Sequence, residues 1–311
     1  MNGARYSYLD TLCDLGRSNR DIVIVSADYA APVFDDFKKS HPSQFLSVGI
    51  AEQNLIAVSC GLALEKKRVV AYGLSPFPVS RAYDQIKCAL SNMRLPVNIV
   101  VSGVGFSEYG ITHSNIEDIS LMRTIPNMRI ITPADNTTAI EAARYVLQST
   151  MPTYIRFDKY AEGQIYEEND IKFNRGFSVL ADGRDVVVIT CGSFTSQVLK
   201  LVPEWQKNGI KPTIIDMYSL PVDSNALLSV INTTPILTIE EHIHHGGIGS
   251  FVLELFNDNG LKNSIKRMGI EFNGNYPQAS GSREYYLKKF GLSDCDITEA
   301  LYKLIGRKRI V

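Results

Sequence analysis

A single carboxylate, Glu52, stands in the string GIAEQN (residues 49–54) at the mouth of an apolar run, LIAVSCGLAL. Taken alone it reads as a first-turn carboxylate, stabilised by the helix dipole and by amide N–H groups with no intrahelical partner. The apolar residues on both sides point instead to burial, and a buried carboxylate needs either a partner or a raised pKa. A second candidate group is aromatic. YGLSPFPVSRAYDQ (residues 72–85) collects Tyr72, Phe77, Arg81 and Tyr83, and the prolines flanking Phe77 hold the stretch out of regular structure. These rings either fill a core or offer a rigid face to a flat ligand. The third group is His113, in the glycine-punctuated GVGFSEYGITHSNIED. A loop imidazole there either carries protons near neutral pH or is an ordinary polar residue. Arg156, in TYIRFDKY, offers a bidentate guanidinium to a phosphate or carboxylate, or pairs with Asp158. Finally, EEHIHHGGIGS (residues 240–250) crowds acids and imidazoles side by side, without the spacing of helical metal ligands, so it reads as a structural turn or a subunit contact.

These groups need elements to hold them. Short Val- and Ile-rich runs recur at DIVIVSAD (21–28), RVVAYG (68–73), PVNIVVSG (96–103), MRIITPAD (128–135) and PTYIRF (152–157), separated by helical patterns. Continuous apolar strands alternating with helices indicate a parallel sheet covered on both faces. One of the helices, NTTAIEAARYVLQS, is expected to open on Asn136 as its N-cap, and RAYDQIKCALSN has the length of another. The polar, acidic AEGQIYEENDIKFNR (161–175) reads as a linker, after which strands and helices resume. The expected fold is α/β, two tandem domains with mostly parallel sheets, at 1–163 and 179–311, with a linker at 164–178. Open parallel sheets bind ligands beyond the carboxyl ends of their strands, and the three loop candidates all fall at such junctions.

Composition narrows the function classes. Hydrophobic residues are 45% and charged residues 21% of 311, and the net charge of -1 leaves no basic footprint for nucleic acid. Five widely spaced cysteines contain no CxxC pair, and no apolar run reaches the ~18 residues of a membrane span. A cytoplasmic protein with reduced thiols is expected. No GxGxxG follows a strand, and neither a GxxxxGK[ST] loop nor a GxSxG elbow occurs.

The strings SADYAAPVFDDF, HPSQFLSVGIAEQNLIAVSCGLAL, SRAYDQI, YGITHSNIEDISLMRTIPNMRIITPAD, PTYIRFDKY and TIEEHIHHGGIGS, in this order along the chain, resemble the pyrimidine-binding and C-terminal domains of transketolase. The chain looks most like the second subunit of a split, two-chain transketolase. The resemblance implies a thiamine-diphosphate-dependent transferase that moves a two-carbon ketol unit from a ketose to an aldose. It implies that Glu52 bonds the aminopyrimidine ring of the cofactor. It also implies that Phe77, or else Tyr83, packs on that ring, with Asp28 and Tyr29 in the same cofactor-binding set. His113 would handle substrate protons, and Arg156 would bind the substrate phosphate.

Departures from the family pattern lie on the sugar side. Pro32 falls where a phosphate-contacting Ser is expected, Gly103 where a His lines the substrate funnel, and Tyr109 where an Asp contacts sugar hydroxyls. Altered sugar recognition follows, for a non-standard or non-phosphorylated sugar. The GDG run through which the family holds Mg²⁺ and the diphosphate does not occur. This implies a GDG-containing partner chain that binds most of the Mg²⁺, with no metal ligand from this chain, in an α2β2 heterotetramer. Alternatives within thiamine chemistry are a 2-oxo-acid dehydrogenase β subunit and a carboligase like 1-deoxyxylulose-phosphate synthase. Outside it stands a non-catalytic partner subunit.

Overall fold

The computed structural model describes residues 3–28, 31–158, 164–168, 170–272 and 281–307. Two compact units emerge: Met1–Val104 with Leu121–Asp170, and Gly105–Ser120 with Ile171–Val311.

In the first unit the Val/Ile runs form β1 (Ile22–Ser26), β3 (Arg68–Leu74), β4 (Val97–Val104), β5 (Arg129–Ile131) and β6 (Thr153–Asp158), and a short FLS segment adds β2 (Phe45–Ser47). They lie side by side in the order β5-β6-β4-β3-β1-β2, and every pairing is parallel. All five residues of β1 are buried, as expected of a central strand covered on both faces. Helix Ala4–Ser18 turns Tyr8, Leu9, Leu12 and Cys13 inward and packs against helix Asn136–Val146. The cap of that second helix is not the expected Asn136 but Asp135, one residue earlier. The Asp135 carboxylate accepts the Thr138 N–H at 2.7 Å, while Asn136 is already helical. The helix expected over RAYDQIKCALSN (81–92) is not a regular one: Tyr83–Gln85 runs into a π-helical turn, Ile86–Ser91, and a separate short helix, Phe77–Ser80, precedes them. Such widened turns concentrate at functional sites.

The second unit contains β7 (Ser178–Ala181), β8 (Val186–Thr190), β9 (Pro212–Asp216), the two-residue β10 (Ser219–Leu220), β11 (Ile236–Ile243) and β12 (Ile265–Ile270). Five of these form a sheet in the order β12-β11-β8-β9-β7, parallel except for β7 against β9. Its core is built on Leu237, Ile239, Leu301 and the fully buried Trp205. The Trp205 indole N–H finds an acceptor in Thr298 Oγ1 at 3.1 Å.

Among the described residues no helix is long and apolar enough to cross a membrane. Burial pushes the Cys13 thiol up to about 12 and the Cys60 thiol up to about 11. The exposed Cys88 donates its S–H to Asp84 at 3.3 Å, which also raises its pKa. Since the thiolate is the reactive form, a thiol reagent at pH 8 should modify the exposed Cys295 first and Cys88 next. Cys13 and Cys60 should react only after unfolding. Mass spectrometry of partly labelled chain checks this order, and early labelling of Cys13 would contradict it.

Candidate active site

From β1 the chain passes outward to β2, and then returns to the other side of β1 as β3. The carboxyl ends of β1 and β3 therefore flank a reversal of strand order, the position at which open α/β sheets form a ligand crevice. Asp28 stands two residues beyond the end of β1 and takes φ 54°, a left-handed conformation that Asp tolerates better than most residues. Tyr29 lies outside the described residues. The exit of β3 leads to Phe77. Gly73 lets this exit fold back tightly, since a Cβ there would meet Pro78 Cγ at 2.6 Å.

Glu52 is the first residue of helix Glu52–Leu64 and is 5% exposed. Its Oε2 lies 3.3 Å from Arg81 Nη1, so the buried charge has its partner. The Arg81 guanidinium in turn stands 4.3 Å from the centre of the Phe77 ring. A carboxylate, a guanidinium and an aromatic face are thus joined in one contact chain, from two segments 25 or more residues apart in sequence. Tyr83 turns elsewhere: its hydroxyl is 2.6 Å from Thr124 Oγ1. Arg156 is buried, 5% exposed, near the carboxyl end of β6, where it pairs with Val101 of β4.

Tyr109 and His113 belong to the second unit. His113 ends a short 3₁₀ turn, Ile111–His113, with Nδ1 3.0 Å from Thr112 Oγ1 and its ring 5.7 Å from that of Tyr109. Tyr109 is 69% exposed. Beyond this loop, burial raises the Glu117 carboxyl above the usual carboxylate range, although its Oε2 accepts the Ile116 N–H. Among the described residues no group of three or more His, Cys, Asp or Glu is arranged to hold a metal ion.

Residues 4–162 match the transketolase pyrimidine binding domain, and residues 177–297 match the transketolase C-terminal domain. The chain belongs to the transketolase family. Among relatives of this transketolase chain, an apulose-4-phosphate transketolase subunit of Phocaeicola vulgatus is 34% identical, over 83% of this chain and 85% of its own length. The 6-deoxy-6-sulfo-D-fructose transketolase subunit SqwH of a Clostridium species is 30% identical, over 98% and 95%. A solved structure described as a split gene transketolase, inactive beta4 tetramer, superposes with a TM-score of 0.88 at 30% identity, covering 99% of this chain and all of that one. The α/β fold with two mostly parallel sheets is that of the transketolase pyrimidine and C-terminal domains.

What sequence reasoning missed is the role of Arg81. In the sequence it is only one member of an aromatic-rich loop, because an ion pair between residues 52 and 81 depends on how that loop folds back. The EEHIHHGGIGS string also does more than its composition suggests. Glu240 accepts the N–H groups of Ile248 and Gly249 at 2.8 and 2.9 Å, so it anchors the start of helix Ile248–Asp258.

Proposed function

We propose that this chain is the pyrimidine-binding subunit of a two-chain, thiamine-diphosphate-dependent transketolase that moves a two-carbon ketol unit from a ketose to an aldose. The observation that carries the reading is Glu52: a 5% exposed carboxylate at the mouth of an apolar helix, paired with Arg81 beside the Phe77 ring. These residues fit the aminopyrimidine end of the cofactor, which asks for one acid at a ring nitrogen and an apolar face for the ring. When bound, thiamine diphosphate supplies the nucleophilic carbon that accepts and releases the two-carbon unit.

In this reading Glu52 holds a proton at the pyrimidine ring nitrogen, where a low-dielectric surrounding strengthens the shared hydrogen bond. Arg81 keeps that carboxylate oriented. Phe77 packs on the ring in preference to Tyr83, whose hydroxyl is engaged by Thr124. Asp28 borders the crevice beyond β1, and Tyr29 belongs to the same cofactor-binding set. His113 moves protons on the substrate, Tyr109 contacts the sugar, and Arg156 receives an anionic group of the sugar. The names of the two relatives, one for apulose-4-phosphate and one for 6-deoxy-6-sulfo-D-fructose, support recognition of a non-standard sugar.

A partner subunit would carry the diphosphate and Mg²⁺ site in an α2β2 assembly. The surface around Glu52 supports a partner. Ile50 is 76% exposed, Leu46 42% and Leu64 55%, and Gln53, Ala57, Gly61 and Leu64 recur at helical spacing on the open side of a largely apolar helix. The five cysteines, without a CxxC pair, support a cytoplasmic location.

Calorimetric titration with thiamine diphosphate and Mg²⁺ tests the split. Binding is expected only when the chain is mixed with a GDG-containing subunit, together with a shift in light scattering to a tetramer. Ketol transfer by the chain alone would overturn the two-chain reading.

A further inference from the structure

The string EEHIHHGGIGS holds both ends of the loop that carries His113. Gly105 and Asn115 exchange backbone hydrogen bonds at 2.8 and 3.0 Å, which closes residues 106–114 on themselves. Inside, Ser107 N–H donates to Ser114 Oγ at 3.0 Å and His113 N–H to Gly110 O at 3.1 Å. The entry to the loop is fastened from β11: Phe106 N–H donates to Glu241 Oε1 at 2.9 Å. Its exit is fastened from the same strand end. Ile243 N–H donates to Ile116 O at 2.8 Å, Ser120 N–H donates to His242 Nε2 at 3.3 Å, and Ser120 Oγ donates to His245 O.

Glu241 is itself locked. Its Oε2 accepts from Arg283 Nε at 2.6 Å, and Arg283 also donates to Ser193 Oγ at 3.1 Å. Both side chains are largely buried, at 9% and 13% exposed. Arg283 opens the helix Arg283–Lys289, and Tyr286 of that helix stacks on Phe106 with ring centres 4.5 Å apart. One helix thus grips Phe106 by its ring while orienting the carboxylate that grips its N–H. Gly105 admits this approach, since a Cβ there would stand 2.4 Å from Glu241 Oε1 and φ is +84°.

We propose that Glu241, oriented by Arg283, is a positioning residue of the transferase, setting the loop from which His113 acts. The inference rests on the reading of His113 given above. A charge-assisted hydrogen bond to the first loop residue fixes the entry angle of the whole closed loop, and misplacing a catalytic group by about 1 Å costs on the order of 10²-fold in rate.

The test uses Glu241→Ala, His113→Ala and the double variant, each reconstituted with the partner subunit. Glu241→Ala should lower kcat by roughly 10²-fold with cofactor affinity unchanged, and the double variant should be no slower than His113→Ala, since both act through one group. Amide exchange over residues 106–116 of the chain by itself should rise by about tenfold or more in Glu241→Ala. Glu241→Gln, which keeps an acceptor for Phe106 but turns a donor toward Arg283, should fall between; it also serves if the alanine variant does not fold. Rate losses that multiply in the double variant, or unchanged exchange in Glu241→Ala and Glu241→Gln, would overturn the positioning role. Full activity of His113→Ala would instead remove His113 from the mechanism, while the exchange measurement would still report whether Glu241 holds the loop.

Discussion

Glu52→Gln in the reconstituted enzyme should lower kcat by about 10³-fold, within the range that a positioned acid or base contributes. The amide has nearly the same shape and can still hydrogen-bond a ring nitrogen, so cofactor affinity should fall far less than turnover. What it cannot do is hold and return a proton. The fold should survive. Arg81 loses its ionic partner, but its side chain is 54% exposed and water can solvate it. The buried position at the helix start keeps a polar group that the amide still supplies. Steady-state kinetics alongside circular dichroism separates these effects. Turnover within a fewfold of the parent enzyme would take Glu52 out of the mechanism, whereas equal losses of turnover and helical signal would make its role structural.

The path from sequence to site was uneven for physical reasons. Central strands were legible because β1, β3 and β4 are buried along nearly their whole length, and burial on both faces demands unbroken Val/Ile runs. Glu52 was legible as an anomaly, a charge in apolar surroundings, and the structure places it as a buried carboxylate with a guanidinium beside it. Arg81, Glu241 and Arg283 carried no such local signal. Each is an ordinary charged residue whose meaning lies in contacts 29, 135 and 42 positions away along the chain. The prolines flanking Phe77 misled: Phe77–Ser80 is a short helix that carries Pro78 in its first turn, where a missing N–H costs nothing, and nothing local announced the π-helical turn at Ile86–Ser91. The cap at Asp135 was misplaced by one residue because Asp and Asn are both good N-caps and stand side by side.

Asp135 also carries the largest expected loss of stability. It is fully buried and its carboxylate serves two segments. Oδ1 accepts the N–H and the hydroxyl of Thr138, each at 2.7 Å, while Oδ2 accepts the N–H groups of Ile165 and Tyr166 at 2.7 and 3.0 Å. The stretch that reads in sequence as part of a linker is therefore tied to the helix Asn136–Val146. Thr137 Oγ1 adds a bond to Tyr166 O at 3.0 Å, and the Tyr166 side chain is itself buried. Asp135→Ala would strand the buried Thr138 and Tyr166 donors and the part-buried Ile165 N–H, at about 1–3 kcal/mol for each buried group left unsatisfied. A total loss of roughly 3–5 kcal/mol is expected, at the upper end of single substitutions. Asp135→Asn isolates the second half of the arrangement. Its carbonyl oxygen can still cap Thr138, but its amide would point a donor at the Ile165 and Tyr166 donors, so it should lose about half as much. Asp135→Ser keeps the cap and withdraws from the other segment, and should resemble Asn. Urea unfolding midpoints at constant slope rank the series. An asparagine variant as stable as the parent would show that the Ile165 and Tyr166 amides do not depend on Asp135.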